Sequence, residues 1–173
     1  MVDPADTGGH GRPIVIVSNR GPVSFVVDDA APAGVTSRRG AGGLVSGLAP
    51  LVRETQTIWV AAAMTDGDRV VAGRGVTEAE GFRVRLIDVD AATWTDHYDR
   101  VCNEALWFAH HGLFDPVYDP AWPSGWEQGP WAAYQRVNQA FAAAVAADAP
   151  PDAIVLVQDY HLCLMAPRAA PAP

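Results

Sequence analysis

Three short segments of this chain are apolar at nearly every position: "IVIV" at 14–17, "TIWVAAA" at 57–63 and "AIVLVQ" at 153–158. A strand with one face in water alternates apolar and polar residues. A strand apolar at consecutive positions is buried on both faces, which calls for a parallel sheet covered on each side. "FRVRLIDV" (82–89) alternates instead, with Phe82, Val84 and Leu86 against Arg83 and Arg85, and reads as a half-exposed strand nearer an edge. Helical stripes lie between the runs. Trp94, Tyr98, Val101, Ala105 and Leu106 form one; Trp131, Tyr134, Val137, Phe141 and Val145 form another on an alanine-rich background. Leu44, Leu48, Leu51 and Val52 give a third over 43–53, which Pro50 should kink or shorten. Strands alternating with helices predict an α/β fold: a parallel sheet with helices on both faces.

At 173 residues the chain has the length of one domain. Its net charge of −8, from 20 acidic and 12 basic side chains, argues against a general nucleic-acid binder, which would carry a basic face. The acids are scattered, as for solubility. Two cysteines, Cys102 and Cys163, and no apolar leader predict a cytoplasmic protein with reduced thiols. No apolar run is long enough to span a bilayer, so no membrane association is expected. Residues 1–12 read as a disordered tail and 168–173 as an irregular Pro/Ala-rich one, flanking a domain over 13–167. The segment 112–130 reads as a long irregular connection, because four prolines interrupt any helical period there. The ending "MAPRAAPAP" lacks the helix and further strands this class requires, so the domain is expected to be incomplete.

In an open α/β sheet, ligands sit beyond the carboxyl ends of the parallel strands. Arg20 follows the first apolar run and Asp159 the last, so each falls at such an end. An arginine there is a fork for phosphate, and an aspartate accepts hydrogen bonds from sugar hydroxyls. The competing reading is a polar turn over 19–22, with Asp159 capping the next helix. "RRGAGGLVSGL" (38–48) sets glycines immediately before a helical stripe. This suits an anion at a helix start or an ordinary flexible turn, and it matches neither a dinucleotide-binding nor a P-loop pattern. His110, His111 and the pair Asp159/His161 lack metal-ligand spacing, so no metal is expected. No G-x-S-x-G elbow supports a serine triad.

Taken in order, "VIVSNRGPV", "GAGGLVSGL", "IWVAAA", "DHYDRVCNEALWFAHH", "WAAYQRVNQAFA" and "VLVQDYHLCLMAP" resemble the N-terminal part of the trehalose-6-phosphate synthase family over about residues 13–167. The resemblance implies the Rossmann-like, acceptor-side lobe of a two-lobed retaining glycosyltransferase. Such enzymes move glucose from a nucleotide sugar, UDP-glucose or GDP-glucose, to glucose 6-phosphate in trehalose biosynthesis. It implies that Arg20, Tyr98, Trp107 and Asp159 bind the acceptor, with Asn19 shaping the turn that aims Arg20. Gly42 and Gly43 would meet the donor phosphates, and neither a metal nor a cofactor is required. The partners implied are the nucleotide sugar donor and the sugar-phosphate acceptor. The charge-neutralising residues of the second lobe lie outside the matched segment, so the chain alone is expected to be inactive. Phe108 replaces the family's proline, and Ala62 stands near its second tryptophan. These departures leave open an acceptor other than glucose 6-phosphate, as in enzymes making glucosylglycerol phosphate or coupling a pseudo-sugar. A non-catalytic binding module is a further alternative. Apolar surface around Leu162, Leu164 and Met165 is expected to be exposed and to drive self-association.

Overall fold

The computed structural model describes residues 12–54, 57–113 and 124–165. Its main sheet consists of β1 (Ile14–Ser18), β4 (Ile58–Ala62), β5 (Val76–Ala79), β6 (Phe82–Ile87) and β7 (Ile154–Val157). Their order across the sheet is β5-β6-β4-β1-β7. β1 pairs in parallel with β4 and β7, and β4 with β6, while β5 runs antiparallel along β6.

Consecutive apolar residues of the central strands go to opposite layers. Ile14 and Ile16 of β1, Trp59 and Ala61 of β4, and Val84 and Leu86 of β6 face one layer, with Val45 of α1 (Gly43–Glu54) and Val71 of α2 (Asp66–Ala72). Val15 and Val17 of β1 and Ile58 and Val60 of β4 face the other, against Val137, Phe141 and Val145 of α5 (Ala132–Asp148). The α/β reading of a parallel sheet covered on both faces is what the chain forms. β6 lies one strand in from the edge and buries Phe82, Val84 and Leu86 while Arg83 and Arg85 are half-buried.

The first layer also contains an antiparallel hairpin that the apolar pattern did not reveal, β2 (Val23–Val27) with β3 (Val35–Arg39). It buries Val23, Phe25 and Val35. α3 (Ala91–Thr95) continues through a π-helical stretch, Asp96–Leu106, into α4 (Trp107–His110).

Four expectations need correction. α1 is not shortened at Pro50 but runs on to Glu54: the missing N–H leaves only the carbonyl of the exposed Ser46 without its helical donor, where water can serve it. β7 is half-exposed rather than buried on both faces, because it pairs only with β1 among the described residues; Ile154 is 40% exposed. The connection expected to be irregular to residue 130 becomes helical from Glu127 (Glu127–Trp131 is a π turn leading into α5), while 114–123 lie outside the described residues. Leu162 and Met165 are fully buried against α5. The apolar surface expected there is therefore in the core at these two positions, while Leu164 is half-buried. The predicted tails lie outside the described residues, except for Arg12, which donates to the Asp152 carbonyl at 2.9 Å.

Candidate functional site

A cavity of about 520 Å³ opens at the carboxyl ends of β1, β4 and β7. Its walls include Asn19, Arg20, the Gly40–Val45 segment, Ala62, Tyr98 and Asp159. Volume and position both suit a small-molecule site in an open α/β sheet.

The exit of β1 is built from the core outward. The buried Trp59 indole needs an acceptor, and Ser18 Oγ supplies it at 2.7 Å. The Ser18 hydroxyl in turn donates to the Arg20 carbonyl at 2.7 Å. The neighbouring Asn19 carbonyl accepts from Ala62 N–H at 3.2 Å. The backbone beneath Arg20 is thus tied to β4, while its guanidinium stands exposed at the cavity. Asn19 Oδ1 is buried and has no partner among the described residues.

At the exit of β7, Asp159 adopts φ 71° and ψ 165°, which strains any residue bearing a Cβ. Its Oδ1 accepts from Tyr160 N–H at 2.7 Å, and its Oδ2 lies 3.6 Å from His161 Nδ1. Asp159 therefore caps the short 3₁₀ turn Tyr160–Leu162, as one of the two expected readings had it, and it also lines the cavity. His161 is buried between the rings of Tyr98 (5.6 Å) and Tyr160 (4.5 Å). Burial holds its pKa below the usual imidazole value, and the Arg20 charge adds to this while Asp159 opposes it. Arg20 and Asp159 thus act on one imidazole from two strand ends.

The third wall is the start of α1. Gly42 takes φ 156°, outside what residues with a Cβ ordinarily adopt, and its carbonyl accepts the first helical bond from Ser46 at 3.0 Å. The first turn of α1 contains no acid, and its Gly43, Leu44 and Val45 line the cavity, a helix start of the kind that favours an anion.

The structure brings Arg20, Tyr98, Asp159, Gly42 and Gly43 to one cavity, and Trp107 is not among the lining residues. Trp107 is 37% exposed and stacks on His111 at 4.2 Å. His110 stacks on Tyr160 instead, so the two adjacent histidines diverge. Among the described residues, no group of three His, Cys, Asp or Glu is placed to hold a metal ion, and no helix is long and apolar enough to cross a membrane. Sequence reasoning missed Asp68, Met64 and Gln158 and saw His161 only as a metal candidate. The one signal for Asp68 was the capping pattern T-x-x-D at 65–68.

Residues 12–169 match the sequence profile of glycosyltransferase family 20. The chain belongs to that family. Among curated family 20 relatives it is 32% identical over 161 residues to the trehalose-6-phosphate synthase of Mycobacterium sp. (strain KMS), covering 91% of this chain and 30% of that protein. It is 33% identical over 154 residues to the enzyme of Mycolicibacterium gilvum, covering 87% of this chain and 29% of that protein. The chain therefore spans about 30% of the length of the curated relatives it matches. The fold is that of an E. coli structure bound with UDP-2-fluoro glucose, at a TM-score of 0.63 and 21% identity over 91% of this chain and 30% of that one. A Burkholderia xenovorans alpha,alpha-trehalose-phosphate synthase in complex with glucose-6-phosphate gives a TM-score of 0.56 at 22% identity, covering 92% of this chain and 30% of that one.

Proposed function

We propose that this chain is the acceptor-side lobe of a retaining glucosyltransferase of the trehalose-6-phosphate synthase type. In this proposal glucose passes from UDP-glucose or GDP-glucose to glucose 6-phosphate. The observation that carries it is the convergence of the Arg20 guanidinium and the Asp159 carboxylate on one cavity from the ends of β1 and β7. Arg20 forks onto the acceptor phosphate, Asp159 accepts from sugar hydroxyls, and Tyr98 walls the ring. Gly42 and Gly43, at the start of α1, offer backbone N–H groups to the donor phosphates. Trp107, outside the lining, is left out of the acceptor set. The new glycosidic C–O bond forms as the C–O bond to the nucleotide phosphate breaks, and the departing phosphate takes the proton of the attacking hydroxyl. The protein's part is placement and charge neutralisation. The compartment proposed is the cytoplasm, where Cys102 and Cys163, both free, stay reduced.

A chain spanning about 30% of its relatives supplies one wall of the cleft. It is expected to bind the acceptor and to form no trehalose 6-phosphate from either donor. Self-association is assigned to the edge of β7 that is unpaired among the described residues, where Ile154 is exposed. A second acceptor is favoured by one observation: Ala62 lines the cavity and leaves space where the resemblance expects a tryptophan. Calorimetric titration with glucose 6-phosphate and a panel of other sugar and polyol phosphates tests both. Binding of glucose 6-phosphate at millimolar concentration or below supports the first. Heat only with another phosphate supports the second, and heat with none removes both.

A further inference from the structure

The cap of α2 does more than start a helix. Thr65 is the N-cap, and Asp68, three residues on, returns to its backbone in a capping box. Asp68 Oδ2 accepts from Met64 N–H at 2.9 Å and Thr65 N–H at 3.0 Å. Its Oδ1 reaches across to Phe25 N–H at 2.7 Å. Thr65 Oγ1 accepts from Asp68 N–H at 3.0 Å and donates to the Phe25 carbonyl. Both peptide groups of Phe25, in the middle of β2, are thereby satisfied by side chains of the α2 cap, as a neighbouring strand would satisfy them. Gly67 sits between: a Cβ there would lie 2.4 Å from the Phe25 carbonyl oxygen.

Asp68 is only 2% exposed although it lines the cavity, and three N–H groups already occupy its carboxylate. It is therefore a holder rather than a ligand. What it holds is the hairpin whose open end carries both phosphate-facing segments: Arg20 precedes β2, and Gly40–Gly43 follow β3. Gly40 N–H donates to the Pro22 carbonyl at 2.7 Å and zips these segments together. Apolar burial of Val23, Phe25 and Val35 keeps the hairpin on the sheet but does not fix its register. Directional bonds to Phe25 do.

We propose that Asp68, with Thr65 and the bare backbone of Gly67, is a positioning residue that sets the hairpin so that Arg20 and the Gly42–Gly43 turn face the cavity together. This rests on the acceptor-binding reading above. Sub-ångström placement of binding groups is what such a tether supplies.

The test uses the whole chain in two readouts. In the ligand-free protein, Asp68→Asn and Gly67→Ala are expected to shift the NMR amide signals of Gly40, Gly42 and Gly43, whereas Phe141→Ala, which weakens the opposite layer, leaves them in place. In titrations with glucose 6-phosphate, at a temperature where every variant is folded, Asp68→Asn and Gly67→Ala are expected to weaken binding by about tenfold or more. Thr65→Ser, which keeps the hydroxyl, and Phe141→Ala should stay within about twofold of the parent chain. Unchanged glycine amides, or wild-type affinity in both Asp68→Asn and Gly67→Ala, would overturn the proposal. Should Asp68→Asn fail to fold, Gly67→Ala carries both readouts alone. If the parent chain fails to bind glucose 6-phosphate, the acceptor reading falls, and the amide shifts still decide whether the tether exists.

Discussion

Asp159 holds φ at 71° and ψ at 165°, and the local hydrogen bond to Tyr160 N–H helps to keep it there. Strain of this kind costs about 1–3 kcal/mol, and glycine avoids it. Asp159→Gly is therefore expected to raise thermal stability, by about 1 kcal/mol after glycine's own entropy cost. The same change should abolish glucose 6-phosphate binding. A stabilised variant that still binds would show that the strained carboxylate serves the fold alone. His97 sits deeper, fully buried between Trp94 and Tyr134, with Nε2 3.9 Å from Cys102 Sγ. Burial pushes its pKa down from 6.5 to about 4, with a smaller contribution from His161. Between these values the unfolded chain binds a proton that the native chain refuses. The stabilisation is therefore complete above pH 6.5 and is lost as the pH falls toward 4. The loss amounts to about 3 kcal/mol, and His161, shifted the same way, adds to it. Urea unfolding at pH 7.5 and 4.5 should show this drop, and His97→Gln should reduce it. A pH-independent midpoint would contradict it.

At the scale of elements, the two-layer division of the sheet explains what could be read from the sequence. "IVIV" was legible because α5 covers Val15 and Val17 while the hairpin, α1 and α2 cover Ile14 and Ile16. The stripe Val137, Phe141 and Val145 was legible because all three residues face one side of an α-helix. The hairpin was not. Only Val23, Phe25 and Val35 are buried in its two strands, and the loop between them is organised locally, by Asp28 accepting from Ala30 N–H at 3.0 Å and by Gly34 at φ 70°. The π-helical stretch was equally hidden, since the spacing of its apolar residues Tyr98, Val101 and Ala105 fits an α-helix as well. Arg20 and Asp159 were legible as strand-end residues, whereas the place of Asp68 at the cavity depends on a bond to Phe25, 43 residues away in sequence. Phe141 anchors the α5 layer with no exposed surface, so Phe141→Ala should cost about 3–5 kcal/mol in chemical denaturation. A loss below about 1 kcal/mol would mean that α5 does not seal that face.

At the scale of the molecule, the described residues form an open cavity at the carboxyl edge of the sheet, rimmed by the exposed Arg20, a strained carboxylate and a helix start free of acids. This arrangement suits a phosphorylated sugar held at both ends and approached by a second phosphate from the side of α1. The most direct measurement is a crystal structure of the chain soaked with glucose 6-phosphate. The phosphate is expected within hydrogen-bond distance of the Arg20 guanidinium, about 3 Å, with a sugar hydroxyl donating to the Asp159 carboxylate. A sugar phosphate bound away from both residues, or a cavity left empty at saturating ligand, would contradict the account.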